Sequence, residues 1–179
     1  MSFLNPVNEP VLRFSSTDAG APQINYNSRV AGDVKAVLKA CLVTGYGTTA
    51  SAGWAVVNEV DHVAEFVSPN AAMSDYRLGI DDTSASSATW YYQYQGLRTN
   101  PDGNALSKTD NMIDKTSVLN GWDLLVTDLG LYLIFNIKNI HTNSIASTIM
   151  YFGATKSAVN TVDSENIAWW LLGWGNSGV

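Results

Sequence analysis

Charge, cysteine and histidine are all scarce in this chain of 179 residues. Charged residues make up 15% of the sequence, whereas about 25% is typical of soluble domains. Asn, Ser, Thr and Gln must therefore supply much of the polar surface. The net charge is −6 and the ten basic residues are scattered, so the chain lacks the clustered Lys and Arg that phosphate binding requires. We expect no nucleic-acid partner.

The few cysteines and histidines argue against several kinds of site. A single cysteine, Cys41, excludes an intramolecular disulfide and a cysteine-based metal site. Its place on the apolar face of a predicted helix indicates a buried, inert thiol. His62 and His141 stand in polar segments typical of surface histidines, and a zinc site would need a third ligand and paired spacing. We therefore expect no metal and no cofactor.

Common catalytic arrangements are missing as well. The sequence has no Gly-x-Ser-x-Gly elbow, and the glycines at Gly45 and Gly47 close a helix and lack a Walker lysine. Asp75, Asp81 and Asp82 flank a predicted strand, but no acid/base set is visible among them. Adjacent aspartates are typical of a strand end and its turn. We predict that the chain is not an enzyme.

No apolar run is long enough to span a bilayer. The longest, Leu129 to Phe135, falls far short of the ~20 residues that a spanning helix needs. The N-terminus, MSFLNPVNEPVLRF, lacks the basic start and apolar core of a signal peptide. We expect a soluble protein that is made in a cytoplasm and has no membrane partner.

The clearest positive feature is one amphipathic helix. Apolar residues recur at i, i+3, i+4, i+7 and i+8 from Val34 to Leu42, which predicts a helix near residues 33–44. Lys35 and Lys39 lie one turn apart on its other face. Gly45 follows the last periodic residue, where a left-handed C-terminal cap needs no Cβ.

Around this helix the patterns are those of strands. Predicted strands lie near residues 11–14, 54–57, 63–67, 76–80, 89–95, 122–126, 131–137, 147–152 and 167–172. Roughly eight strands with one helix and no βαβ alternation predict a mainly β (α+β) fold, as an antiparallel β-sandwich or a partly open barrel.

The chain is predicted to form a single domain with an extended start. Three prolines interrupt residues 1–30, which predict an N-terminal arm that packs along its own domain or reaches a neighbour. Residues 31–179 predict one β-rich domain. The polar segment 97–121 within it predicts a long surface loop.

Aromatic residues are concentrated in two predicted strands. Trp90, Tyr92 and Tyr94 share one face of the first strand and Tyr91 lies on the other. An exposed row would suit a carbohydrate- or host-surface-binding, lectin-like module. Alternatively, one face is core and the other contacts a neighbouring subunit, since Tyr and Trp are enriched at protein interfaces. The candidate interface residues are Trp90, Tyr91, Tyr92, Tyr94, Trp169, Trp170 and Trp174.

One segment resembles a known group of proteins. Leu42-Val43-Thr44-Gly45-Tyr46-Gly47 and Ala52-Gly53-Trp54 resemble a group of tailed-bacteriophage proteins that share a helix ending in LVxGYG, followed by AGW. The segment Val11 to Ile24 is similar to the lead-in of that group, and Tyr151-Phe152-Gly153 with Ile167 to Gly173 is more loosely similar to its closing strands. Ala154 stands where the group has an aspartate, and TWYYQYQG replaces its arginine-rich middle strand.

The resemblance implies a virion structural protein without enzymatic activity. Such a protein would decorate the capsid or belong to the tail, baseplate or collar of the bacteriophage. Its partners would be other virion proteins, including further copies of itself in a homo-oligomer. It would be made in the host cytoplasm and located in the virion. The alternative function is the lectin-like module, for which the partner would be a glycan.

Overall fold

The fold is mostly β, with two antiparallel sheets and one helix, as the sequence predicts. The computed structural model describes residues 10–24, 30–84, 87–94, 110–111, 117–139, 145–155, 167–168 and 173–174. Within these ranges neither sheet closes on itself, so the architecture is that of a sandwich or an open barrel.

The elements follow one another without βαβ alternation. In chain order they are β1 (Leu12–Ser15), α1 (Asp33–Lys39), β2 (Ala55–Val60), β3 (Val63–Val67), β4 (Tyr76–Ser84), β5 (Ser87–Tyr94), β6 (Asp110–Asn111), β7 (Ser117–Val126), β8 (Gly130–Asn139), β9 (Ile145–Thr155), β10 (Ile167–Ala168) and β11 (Gly173–Trp174). The first sheet has the order β1-β7-β8-β9-β10, and β11 also pairs with β9. The second sheet has the order β2-β3-β4-β5-β6.

One hydrophobic core joins the two sheets and the helix. Alternate residues of the central strands are buried because side chains alternate between the two faces of a strand. The strand contributors to this core include Phe14, Ala64, Phe66, Leu78, Ile80, Trp122, Leu124, Val126, Leu131, Leu133, Phe135, Met150 and Phe152.

The predicted helix is present, but its last part is not α-helical. The apolar face is confirmed, since Val34, Val37, Leu38, Cys41 and Leu42 are fully buried. After α1 the residues Ala40–Thr44 form a π-helical turn, in which the Gly45 N–H donates to the Ala40 carbonyl at 2.8 Å. After this wider turn the chain reverses direction and runs back along the end of the helix. There the N–H groups of Ala52 and Trp54 donate to the carbonyls of Cys41 and Leu42, both at 2.9 Å.

The polar face of the helix is partly covered by the β2–β3 hairpin. Lys35 Nζ and Lys39 Nζ each lie 2.7 Å from a carboxylate oxygen of Glu59. The hydrogen bonds from Lys35 and Lys39 lower the pKa of Glu59. The hairpin turn consists of Asp61 and His62, because β2 continues to Val60, beyond the predicted strand near residues 54–57.

Two sequence predictions about strand ends are wrong. Residues 97–121 are not one loop, because β6 and the start of β7 lie inside that segment. Ladder hydrogen bonds join backbone groups, so polar side chains do not prevent them. Asp81 and Asp82 do not end their strand, because β4 continues to Ser84.

The described part of the N-terminal segment, residues 10–24, lies along the chain's own first sheet. β1 pairs antiparallel with β7, and Phe14 is buried opposite Leu124. Further along, the Trp122 indole N–H donates to the Pro22 carbonyl at 3.1 Å. Of the two alternatives for this segment, packing along its own domain is the one observed for these residues. The division of the chain at residue 30 stays a prediction.

Candidate interaction surfaces

At least one candidate interface residue of the aromatic strand β5, Tyr91, is packed inside the protein. Tyr91 lies opposite Gly79 of β4, and a Cβ at Gly79 would stand 2.0 Å from Tyr91 Cε2. The ring thus occupies the space that any side chain at position 79 would fill. Tyr91 is only 4% exposed, so it offers little surface to another molecule.

Tyr91 also belongs to a polar cluster around a buried carboxylate. Glu65 is 3% exposed, and its Oε1 accepts a hydrogen bond from the Tyr91 hydroxyl at 3.1 Å. Its Oε2 lies 3.6 Å from Arg77 Nη1. Burying a carboxylate is costly unless it is paired and hydrogen-bonded, and these two partners meet that need. The arrangement indicates a stabilising role for Tyr91 within its own sheet.

The ladder confirms how the other aromatic residues of β5 alternate. Trp90, Tyr92 and Tyr94 lie opposite Ile80, Leu78 and Tyr76, in register positions that alternate with that of Tyr91. The description of these three residues is confined to the backbone.

Of the candidate tryptophans near the C-terminus, only Trp174 lies among the described residues. The backbone of Trp174 lies opposite Thr148. Trp169 and Trp170 fall outside the described residues. Their assignment to an interface stays a prediction.

The structure shows a surface that the sequence did not single out. It is the face of the first sheet that points away from the core, here called the outer face and defined by Leu125, Tyr132, Ile134, Ile149 and Tyr151. In the ladder Leu125, Tyr132 and Tyr151 form one cross-strand row, and Ile134 with Ile149 forms part of the next.

A tyrosine pair stands at the centre of the outer face. Tyr132 is 46% exposed, and its ring centroid lies 4.5 Å from that of Tyr151, with 36° between the ring planes. Burial and the neighbouring Tyr132 raise the pKa of Tyr151. The Tyr151 hydroxyl is therefore neutral at physiological pH.

The sequence contained a signal for this face. Leu131 to Phe135 is apolar at every position, whereas an antiparallel strand with one solvated face alternates apolar and polar residues. Leu131, Leu133 and Phe135 are buried inward, so Tyr132 and Ile134 lie on the outer face. A continuous apolar run in an antiparallel strand thus indicates apolar side chains on both faces of the sheet.

An ion pair borders the outer face. Arg13 Nη2 donates to Asp123 Oδ1 at 2.7 Å, and the side chains are 61% and 27% exposed. Arg13 lies opposite Leu125 and extends the row of Tyr132 across the sheet. The outer face therefore combines an apolar, aromatic centre with one cation and one anion at the β1 edge.

Of the residues that carry the resemblance to the phage group, Leu42, Tyr46 and Trp54 are buried, whereas Thr44, Gly47 and Gly53 are exposed. Tyr46 is buried, and its hydroxyl donates to Asp18 Oδ2 at 2.7 Å. The Trp54 indole N–H donates to the Thr127 carbonyl at 3.3 Å. Tyr46 thus links the helix end to the N-terminal segment, and Trp54 links it to the β7–β8 turn.

We expect Tyr46→Phe to lower the free energy of unfolding by about 1 kcal/mol at neutral pH, the net worth of one hydrogen bond. The bonds from Tyr46 and the Ser15 N–H lower the pKa of Asp18 from 3.8. Their contribution is present above the unfolded pKa and is lost as the pH falls through the lower folded pKa. Urea unfolding at several pH values should show the difference from wild type shrinking below pH 3.8. A difference that stays constant into strong acid would contradict the assignment.

Two of the three aspartates considered for catalysis, Asp81 and Asp82, have structural partners. Asp82 is fully buried, and its Oδ2 accepts the N–H groups of Val34 at 2.8 Å and Lys35 at 3.2 Å. It thereby caps the N-terminus of α1, where Gly32 has no side chain to do so. Asp81 Oδ1 accepts from the N–H and hydroxyl of Thr83.

Cys41 is buried on the apolar face of the helix, as predicted. Burial raises the pKa of its thiol from 9.0 to about 12. Three pKa units correspond to about a thousandfold less thiolate, which is the reactive form. We expect iodoacetamide to leave the folded protein unlabelled under conditions that label the urea-unfolded chain, as mass spectrometry would show. Equal labelling rates in the two states would contradict this expectation.

Neither metal-binding clusters nor spanning helices are found in the described ranges. No group of three or more His, Cys, Asp or Glu side chains there could hold a metal ion. No helix among the same residues is both long and apolar enough to cross a membrane. Comparisons with protein-family models, curated proteins and solved structures each found no match to this chain.

Proposed function

We propose that the protein is a non-enzymatic structural component of a tailed-phage virion and binds neighbouring virion proteins. The observation that carries the proposal is the position of the residues that resemble the phage group. Gly45, Tyr46 and Trp54 form the junction between the helix, the N-terminal segment and the first sheet. A resemblance at such a junction supports a shared scaffold, and the function implied by that resemblance is a structural one.

The surface of the protein also favours contact with other proteins. The outer face is apolar and aromatic at its centre, and aromatic residues are enriched at protein interfaces. Only 15% of the residues are charged, so repulsion between neighbouring copies is weak. Both features suit a protein that is packed at high density against others.

Three of the described carboxylates give further support to a non-enzymatic role. Asp82 caps the helix, Asp81 bonds to its own turn, and Glu65 is held by Tyr91 and Arg77. A general acid or base needs an accessible position near its substrate. Asp82 and Glu65 are too deeply buried to reach one.

The test is the composition of purified particles. Quantitative mass spectrometry of gradient-purified phage that encodes this chain should find it in a constant ratio to the major capsid protein. Antibody labelling in electron microscopy would then assign it to the head or the tail. A phage replication protein from the same lysate is the control for contamination. The proposal would be overturned if the chain is expressed in the infected cell but is removed from the particles during purification as completely as the replication protein.

The lectin-like alternative gains no support from the described side chains of β5. It depended on an exposed aromatic row, and the two side chains of that strand that are described, Ala88 and Tyr91, are both buried. A glycan array that shows no binding by the purified protein is the expected result.

A further inference from the structure

We propose that Tyr132 and Tyr151 form a site of oxidative cross-linking, at which a one-electron oxidant, such as a haem peroxidase with hydrogen peroxide, joins the two rings in a dityrosine. The proposal concerns a covalent modification of the chain itself and does not depend on the proposed function. Three observations carry it: the register that places the two residues opposite each other, the short distance between their rings, and the exposure of Tyr132.

The register of the first sheet holds the two tyrosines side by side. Tyr132 of β8 lies directly opposite Tyr151 of β9 in the antiparallel ladder. Residues opposite each other across such a pair have Cβ atoms about 5 Å apart. The ladder continues on both sides of the pair, from Gly130 to Lys138 of β8. A slip that separated the two rings would therefore have to break the whole ladder.

The two rings are almost as close as rings that are bonded to each other. Their centroids lie 4.5 Å apart, with 36° between the ring planes. Two phenol rings joined carbon to carbon have nearly the same separation between their centroids. Coupling therefore requires the rings to rotate about their side-chain torsions, with little movement of the strands. Tyr132 is free to do so, because exposed side chains change rotamer within nanoseconds.

Tyr132 is the tyrosine that an oxidant reaches most readily among those whose side chains are described. It is 46% exposed, whereas Tyr46 and Tyr91 are buried and Tyr76 and Tyr151 are partly so. An oxidant can therefore form a phenoxyl radical at Tyr132 directly. The Tyr151 ring beside it keeps part of its surface in water, so a second oxidising equivalent can reach it as well.

The reaction removes one electron and one proton from each hydroxyl. In the two phenoxyl radicals that result, the unpaired electron lies partly on the Cε carbons next to the carbon that bears the oxygen. A C–C bond forms between one Cε of each ring, the C–H bonds at these two carbons break, and the hydroxyls regain their protons. In total the chain loses two hydrogen atoms, and one hydrogen peroxide is reduced to two water molecules.

Coupling within one chain is faster than coupling between chains. Two reacting groups that are held side by side behave as if each were present at a very high concentration. We therefore expect the link in monomers of dilute protein, at a yield at least about tenfold above that of linked dimers. The sequence contains eight tyrosines, so the position of the link is the decisive observation.

Trypsin and mass spectrometry locate the link, because Lys138 lies between the two tyrosines. Trypsin cleaves after Lys and Arg, so Tyr132 falls in peptide 116–138 and Tyr151 in peptide 139–156. The purified protein is treated with a haem peroxidase and hydrogen peroxide, and the monomer is isolated on a denaturing gel. Its digest should contain these two peptides joined, lighter by two hydrogen atoms than the separate peptides. Digestion before oxidation removes the fold and should yield little of the joined species.

Two conservative substitutions distinguish this site from the other tyrosines, and circular dichroism should show wild-type secondary structure for both. Tyr132→Phe keeps the ring without its hydroxyl and should abolish the joined peptide. Tyr76→Phe is the matched control, because Tyr76 also lies opposite a tyrosine, Tyr94, and it should leave the yield unchanged.

Three outcomes would overturn the inference. The first is a joined peptide that persists in Tyr132→Phe. The second is a link that forms in dimers alone. The third is a monomer in which peptides 40–77 and 78–98 are joined instead, which would place the site at the other pair of opposed tyrosines. None of these outcomes bears on the presence of the chain in purified particles.

Discussion

Gly45→Ala is expected to lower the free energy of unfolding by about 3–4 kcal/mol, which is among the largest effects for a single surface-turn residue. Gly45 has φ 75° and ψ 175°, a conformation that is essentially restricted to glycine. A Cβ there would also stand 2.6 Å from the Thr49 carbonyl oxygen. That oxygen accepts the Tyr46 N–H at 3.1 Å, so relief of the clash disrupts the turn that positions Tyr46.

Gly53→Ala is the matched control for this prediction. Gly53 also has a positive φ, 79°, but a Cβ there would meet no atom within 4 Å. Its substitution isolates the conformational strain, for which we expect about 1 kcal/mol. Urea unfolding followed by tryptophan fluorescence measures both variants. Equal losses at the two positions would show that the contact with Thr49 has no energetic consequence.

Asp82→Ala is expected to cost about 2–4 kcal/mol, the second large effect. The Asp82 carboxylate is fully buried and accepts the N–H groups of both Val34 and Lys35. Loss of a helix cap costs about 1 kcal/mol, and each buried donor left without an acceptor adds about 1–3 kcal/mol. The negative charge also interacts favourably with the positive end of the helix dipole.

Two control substitutions, one at position 82 and one at position 81, show how much of the loss of stability in Asp82→Ala comes from the cap. Asp82→Asn keeps an acceptor oxygen without the charge, so its loss should lie between those of wild type and Asp82→Ala. Asp81→Ala removes the adjacent carboxylate, whose bonds are to exposed groups of Thr83, and should cost less than about 0.5 kcal/mol. The readout is the midpoint of urea unfolding at neutral pH. If Asp82→Ala matches Asp81→Ala, the cap does not stabilise the helix.

Local periodicity was sufficient to predict much of the fold. The helix face from Val34 to Leu42 and the alternation around Leu78 and Ile80 follow directly from the geometry of a helix and a strand. The turn between β7 and β8 was also predictable, because the apolar runs on either side of it define two adjacent strands. Each of these features depends on residues that are only a few positions apart in the chain, so it can be predicted without knowing any distant partner.

Partners distant in sequence could not be predicted in the same way. Asp82 caps a helix whose Val34 N–H lies 48 positions earlier, and nothing in its neighbours indicates that the strand brings it there. The local pattern, two adjacent aspartates, instead favours a strand end. In the same way, the sequence makes Tyr91 a candidate interface residue because Gly79, which leaves room for its ring, lies on another strand.

The outer face could not be predicted from the sequence for the same reason. Tyr132 and Tyr151 are ordinary strand residues in sequence, and each is apolar enough to be assigned to the core. The register of β8 against β9 puts them side by side on the outer face, next to the Arg13–Asp123 pair. The sequence indicated apolar residues on both sides of β8, but it contained no information about which residues would share a row.

By itself the sequence determined the class of the fold, the amphipathic helix followed by Gly45, and the burial of Cys41. All of these follow from local steric preference and from the burial of apolar side chains at regular spacing. Only the tertiary structure decided that Asp82 caps the helix, that Tyr91 is internal, and which side chains share the outer face. The reason is that strand pairing brings together residues far apart in the chain, and the register of that pairing is set by the packing of the whole core.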